Sequence, residues 1–203
     1  MSLSTVASRR VGQRVPFVLV RPIASGNQVL DRSRANDLRE RYLEGHENAA
    51  ESAIILDLQK IRAITSSAAD ALIVRWLLFA RARRAFVFVV ATADDAVARE
   101  IDSALFLAHE TAFLVRQAEH PEVEAPRLIG ERPEHHEELV EYIHGHPYCT
   151  ANEVAEAFHI GQTAALNRLA SLARRGLIFR QPQPGRLADL FAFPFSRLPV
   201  SAR

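Results

Sequence analysis

The sequence predicts an α/β domain followed by a mostly helical domain that ends in a β-hairpin. Apolar, β-branched runs alternate with helix patterns through the first part of the chain, and a proline-containing stretch then interrupts them. Three short helix patterns and two strand-like runs follow that stretch. We therefore expect an α/β domain over residues 1–119, a linker over 120–133 and a second domain over 134–203.

In the first domain, four runs of apolar and β-branched residues predict strands. They are residues 16–23, 53–61, 85–92 and 112–115. The run over 85–92 is nearly all apolar, which is typical of a strand buried on both faces. Helix patterns lie between these runs, and their predicted N-caps are Asp31 or Ser33, Ser66 or Ser67, and Asp94. The alternation implies crossover connections and an α/β sheet.

The segment from Ile54 to Leu72, I-I-L-D-L-Q-K-I-R-A-I-T-S-S-A-A-D-A-L, resembles the STAS superfamily. That superfamily is known from anti-sigma factor antagonists, sulfate transporter tails and STAS-like domains of unknown function. The resemblance implies a small sheet with helices on one side, used for protein or small-ligand contact. It also makes Ser66 and Ser67 a candidate phosphorylation or partner site, because a phosphate at a helix start would disturb a docked partner. Alternatively, these two serines simply cap the helix.

Charge is distributed unevenly, although the formal net charge is only +1. Residues 127–159 contain two arginines and seven glutamates, whereas residues 160–203 contain seven arginines and one aspartate. Such an asymmetry indicates that the last segment faces a polyanion. The alternative is that the arginines only solvate one face of the domain.

In the second domain, helices are predicted over residues 134–144, after Thr150, and over 162–175. Thr150 and Glu153 have the spacing of a capping box, and Gly176 suits the position after a helix end. Two strands, over residues 177–180 and 187–193, flank a turn with two prolines and a glycine.

The segment from Thr150 to Arg186 resembles the winged helix-turn-helix family. The resemblance implies an all-α/winged helix domain with a β-hairpin wing. In that family the third helix enters the major groove, and the wing touches the backbone or the minor groove.

Apart from this resemblance, individual side chains of the third helix are suited to DNA. Placing Leu166, Leu169, Ala170 and Ala173 on the buried face turns the polar positions outward. Asn167 and Arg168 are then the candidates for base edges, since asparagine suits adenine and arginine suits guanine. The other arginines are candidates for phosphate contacts. The full set of expected DNA-binding residues is Gln162, Thr163, Ala164, Asn167, Arg168, Ser171, Arg174, Arg175, Arg180 and Arg186.

Other chemistries find little support in the sequence. The spacing of His144, His146 and Cys149 matches no standard zinc pattern, so we expect no metal and no cofactor. The chain has no P-loop, G-x-G-x-x-G, H-E-x-x-H or G-x-S-x-G motif, so we expect no enzyme. One cysteine excludes an internal disulfide and fits a reducing compartment. No apolar run is as long as a membrane span, and we expect a cytoplasmic protein.

These observations together predict a transcriptional regulator. The STAS-like domain would sense a signal or dock a protein partner, and the winged helix would bind double-stranded DNA. We expect a homodimer, because a single winged helix buries little surface. The alternative is an anti-sigma antagonist-like interaction or scaffold module with no DNA binding.

Overall fold

The computed structural model of the chain describes residues 17–21, 28–43, 45–46, 52–80, 86–121, 126–146, 148–181 and 188–194. Within these ranges the fold is mixed α/β and is built around a mixed five-stranded sheet. This is the broad class that the sequence predicts for the first part of the chain.

The strands are β1 (Phe17–Val20), β2 (Gln28–Leu30), β3 (Ser52–Asp57), β4 (Ile61–Ile64), β5 (Phe86–Ala91), β6 (Thr111–Val115), β7 (Arg127–Gly130), β8 (Tyr148–Cys149), β9 (Phe179–Gln181) and β10 (Leu190–Ala192). The helices are α1 (Arg32–Leu38), α2 (Ser66–Ala69), α3 (Arg75–Ala80), α4 (Asp95–Leu107), α5 (His136–Gly145), α6 (Ala151–Ala157) and α7 (Gln162–Arg174). A π-helical turn continues α1 over Arg39–Leu43, and another joins α2 to α3 over Asp70–Val74. None of these helices is long and apolar enough to cross a membrane.

The main sheet has the strand order β1-β3-β5-β6-β7. Its first four strands are parallel, and β7 runs antiparallel to β6. Strands β2 and β4 form a separate parallel pair. The run over residues 53–61, which predicts one strand, is therefore divided between β3 and β4 by a turn at Gln59 and Lys60.

Helices α1 to α4 cover one face of the main sheet and enclose the first hydrophobic core. Trp76 is fully buried there, with its ring 5.1 Å from that of Phe88. Its indole N–H donates to the carbonyl of Leu43 at 2.8 Å, so its one polar group is satisfied inside the core.

Helices α5 to α7 cover the opposite face of the same sheet. The second core combines Ile55, Val89 and Phe113 of the sheet with residues of the C-terminal helices such as Leu169. The rings of Phe113 and Phe193 meet edge to face at 5.5 Å. The sheet is thus buried between two layers, which explains why β5 is apolar on both faces. We expected helices on one side of the sheet. Helices α1 to α4 do lie on one side, but α5 to α7 cover the other.

The predicted linker over residues 120–133 contains a strand of the main sheet. Within it, β7 pairs with β6 in the register Ala112 with Ile129, and Leu128 and Ile129 are buried. The prolines at either end favour a linker locally, but sheet pairing and burial of these two side chains outweigh that tendency. The first sheet consequently ends at Gly130, ten residues beyond the start of the predicted linker.

The C-terminal segment contains three helices and a three-stranded antiparallel sheet of order β8-β10-β9. The capping box of Thr150 and Glu153 at the start of α6 is confirmed. The predicted end of α7 is confirmed as well. Gly176, at φ +71°, donates to the carbonyl of Ala173, and Leu177 donates to that of Leu172, both at 3.0 Å.

Candidate nucleic-acid interface

A tight turn sets the start of α7 relative to α6. The backbone N–H of Ile160 donates to the carbonyl of Ala155 at 3.0 Å, and His159 has a left-handed backbone at φ +50°. Gly161 then occupies the N-cap position of α7. Thr163 lies in the first turn of α7, where backbone amides and the helix dipole favour an anion.

The buried face of α7 differs from the predicted one. Ala165, Leu169 and Leu172 are buried, whereas Leu166 is 38% exposed. Ala170 and Ala173 are half-buried. The predicted buried face of α7 was wrong because apolar residues occur on almost every side of this helix. Their spacing therefore does not select one face.

The exposed positions of α7 include half of the ten predicted DNA-binding residues and no acidic residue. Gln162, Thr163, Ala164, Asn167 and Arg174 are exposed. Ser171 is half-buried on the edge of the same surface. This surface therefore offers amide, hydroxyl and guanidinium donors without a neighbouring carboxylate on its own helix.

Arg175 joins the end of α7 to the edge of the main sheet. Its guanidinium donates to the Glu131 carboxylate at 2.8 Å and to the Thr111 hydroxyl at 3.0 Å. Hydrogen bonds from Arg175 and then from His109 hold the pKa of Glu131 below its usual value. Neither Glu131 nor Thr111 was identified from the sequence, because the contact depends on how the two halves pack.

Arg180 also has a carboxylate partner. Its Nε donates to Asp189 Oδ2 at 2.6 Å across the strand pair β9 and β10. The predicted phosphate contact Arg186 lies outside the described residues. Two of the four arginines predicted to bind phosphates, Arg175 and Arg180, are thus engaged within the protein.

Arg168 lies about 100° around α7 from Asn167. It is half-buried, and its charge and that of Arg175 act on His136. The side chain of His136 is buried, and among the described residues its Nδ1 atom has no hydrogen-bond partner. Burial first, and then the two arginines, lower the pKa of His136 to about 4. Protonation of this histidine is therefore costly in the folded protein.

We expect His136 to make the fold sensitive to moderate acid. Its pKa is about 4 in the folded state and 6.5 ordinarily, so the unfolded chain takes up a proton first as the pH falls. The stability present above pH 6.5 should decline by up to about 3 kcal/mol as the pH approaches 4. Urea unfolding measured across this range should show a smaller decline for His136→Gln than for the wild-type protein. Parallel stability curves for the two proteins would contradict this assignment.

Ser66 and Ser67 lie at the start of α2, but neither is its N-cap. Thr65 caps the helix, because its hydroxyl accepts the backbone N–H of Ala68 at 3.2 Å. The serine caps predicted from the sequence, Ser66 or Ser67, are therefore wrong by one or two residues. Both serines are exposed; the Ser66 hydroxyl donates to the Glu100 carboxylate, and the Ser67 hydroxyl lies 3.1 Å from that of Thr65.

The histidines and the cysteine near α5 have separate surroundings. The ring of His144 meets Phe193 edge to face, and the ring of His146 stacks on Tyr142. Cys149 is buried in β8, and burial raises the pKa of its thiol to about 12. Within the part of the chain that the structure describes, no group of three His, Cys, Asp or Glu side chains is placed to hold a metal ion.

Comparisons with known protein families, with curated proteins and with solved structures find no match to this chain.

Proposed function

We propose that the protein is a DNA-binding transcriptional regulator in which α7 enters the major groove of double-stranded DNA. The supporting observation is the exposed surface of α7, which presents Thr163, Asn167 and Arg174 with no carboxylate on the same helix. A helix–turn–helix followed by an antiparallel strand pair is the arrangement that a winged helix uses to place such a surface on a duplex.

The residues divide into three roles in this proposal. Asn167 contacts base edges from the middle of the exposed surface. Thr163, with Gln162 and Ala164 beside it, meets the backbone near the helix start, and Arg174 neutralises a phosphate near the helix end. Arg175 positions α7 through its bonds to the sheet edge. Arg168 and Ser171 flank the surface, and Arg180 and Arg186 belong to the proposed wing.

The N-terminal segment has the role of a STAS-like sensing or docking domain in this proposal. A phosphate on Ser66 would be repelled by Glu100, whose carboxylate accepts a hydrogen bond from the serine hydroxyl. Ser66 and Ser67 are therefore proposed as a site where charge changes the contact with a protein partner. A homodimer would supply the second half of the DNA-binding surface.

DNA binding can be tested with the full-length protein and duplexes selected from a random pool. Arg174→Ala should weaken binding to all duplexes. The number of counterions released on binding, obtained from the salt dependence of the affinity, should fall by about one. Asn167→Ala should weaken binding to the preferred duplex by about 1–3 kcal/mol and relax its specificity. Fluorescence anisotropy over a salt series measures both effects.

A matched control is Arg99→Ala, which removes an exposed arginine from α4. This variant should bind as the wild-type protein does, because α4 lies on the other side of the main sheet. Absence of binding to any duplex at low salt, or equal loss in all three variants, would refute the proposal.

The internal ion pairs of Arg175 and Arg180 favour a second candidate, a protein-interaction or scaffold module with no DNA binding. In that case no duplex should bind at low salt. A protein partner should instead be captured by the wild-type chain and released by Ser67→Glu, which places a negative charge at the exposed start of α2.

A further inference from the structure

One side of α7 carries a strip of apolar and polar side chains that are exposed, except for the half-buried Ala170. At the helical rotation of about 100° per residue, its members span an arc of only about 100°. We call this the reading strip, and its members are Thr163, Leu166, Asn167, Ala170 and Arg174. The buried side chains of α7 lie on the opposite side of the helix.

Leu166 gives the reading strip an apolar contact surface. It is 38% exposed and belongs to neither hydrophobic core. Ala170 and the methyl group of Thr163 lie on the same arc, so the middle of the strip carries no charge. In the major groove, the apolar group that a base edge presents is the C5-methyl group of thymine.

Asn167 follows Leu166 in the sequence and lies at the other edge of the strip, about 100° around the helix. Its amide can donate to N7 and accept from the N6 amino group of adenine, the partner of thymine. Two of the guanidinium groups that could favour guanine lie off the strip. The charge of Arg168 acts on His136, and Arg175 is bonded to Glu131. Arg174 remains on the strip, at the end where we have placed a phosphate contact.

We infer that the reading strip recognises A·T base pairs, with Leu166 against thymine methyl groups and Asn167 against adenine. The inference rests on the proposed function, since it specifies which bases α7 contacts. It differs from the expectation that Arg168 reads guanine, because the side chain of Arg168 lies on the flank of the helix.

The experiment replaces thymine by uracil, which has the same hydrogen-bonding groups and lacks the methyl group. Duplexes selected from a random pool by the full-length protein should be enriched in A·T pairs at fixed positions. Replacing the contacted thymine in the selected duplex should weaken binding about fourfold, the effect of one buried methyl group. Leu166→Ala should bind the thymine and uracil duplexes equally, because the leucine contact is already lost.

The matched control is Leu107→Ala, which removes a 77% exposed leucine from α4. This variant should keep the fourfold preference for thymine. Equal affinity of the wild-type protein for thymine and uracil duplexes, or selection of G·C pairs at the fixed positions, overturns the inference and leaves DNA binding intact. Absence of binding to any duplex overturns the proposed function itself, so the two failures are distinguishable.

Discussion

Replacing Phe113 by alanine should destabilise both halves of the chain together, lowering the free energy of unfolding by about 3–5 kcal/mol. Phe113 is fully buried on β6, and its ring packs edge to face on Phe193. It contributes to the core that joins the main sheet to α5, α6 and α7. The cavity left by alanine would therefore lie between the two predicted domains rather than within one of them.

Two optical signals can follow this unfolding separately. The chain has one tryptophan, Trp76, which lies in the first core, so its fluorescence reports the N-terminal half. Far-ultraviolet circular dichroism reports the helices of both halves. We expect the two signals to change at the same urea concentration in the wild-type protein and at a lower, again shared, concentration in Phe113→Ala.

Phe79→Ala is the matched control, because Phe79 is 63% exposed on α3. Its effect should stay within about 0.5 kcal/mol. If the two halves were independent domains, Phe113→Ala would move the fluorescence transition and leave part of the circular dichroism transition unchanged. That result would contradict the shared core.

The parts of the fold that the sequence predicts are those with strong local signals. Strand β5 is apolar at every position, and Asp94 caps α4 by accepting the backbone N–H groups of Ala96 and Val97. The capping box at Thr150 and the glycine after α7 also depend on residues close together in the chain. Such features persist because neighbouring residues determine them.

The parts that the sequence does not predict depend on distant contacts. Strand β7 has only four residues and becomes a strand by pairing with β6. The side of α7 that is buried is set by packing in the second core, which includes Ala165 and leaves Leu166 exposed. Likewise, a charge count over residues 160–203 treats Arg175 as available, although Glu131, far away in sequence, binds it.

Packing gives two neighbouring residues of the candidate site, Asn167 and Arg168, different surroundings. Arg168 and Asn167 are adjacent in sequence and were predicted to share one role. In the structure Asn167 is exposed, while Arg168 is half-buried and its charge acts on His136. The proposed base contacts therefore shift toward Asn167 and Leu166, and Arg175 holds the end of α7 on the sheet edge through Glu131 and Thr111.

Replacing Gly130 by alanine should cost about 2–5 kcal/mol, since it combines backbone strain with a collision in the core. Gly130 has φ +88°, and an added Cβ would lie 2.2 Å from the carbonyl oxygen of Glu110 and 2.7 Å from the Cβ of Leu105. The backbone N–H of Gly130 also donates to Asp102 at 2.7 Å. The end of β7 cannot shift freely without disturbing this bond.

The effect of Gly130→Ala should extend to the orientation of α7. The next residue, Glu131, binds Arg175, so displacement of β7 would loosen the contact between the sheet edge and the end of α7. Gly145→Ala is the control, because Gly145 has open space around it and ends a helix, where alanine is favoured. Urea unfolding should show a large loss for the first variant and no loss for the second. A loss below about 1 kcal/mol for Gly130→Ala would mean that β7 accommodates the methyl group, and that it does not fix the position of Glu131 against α7.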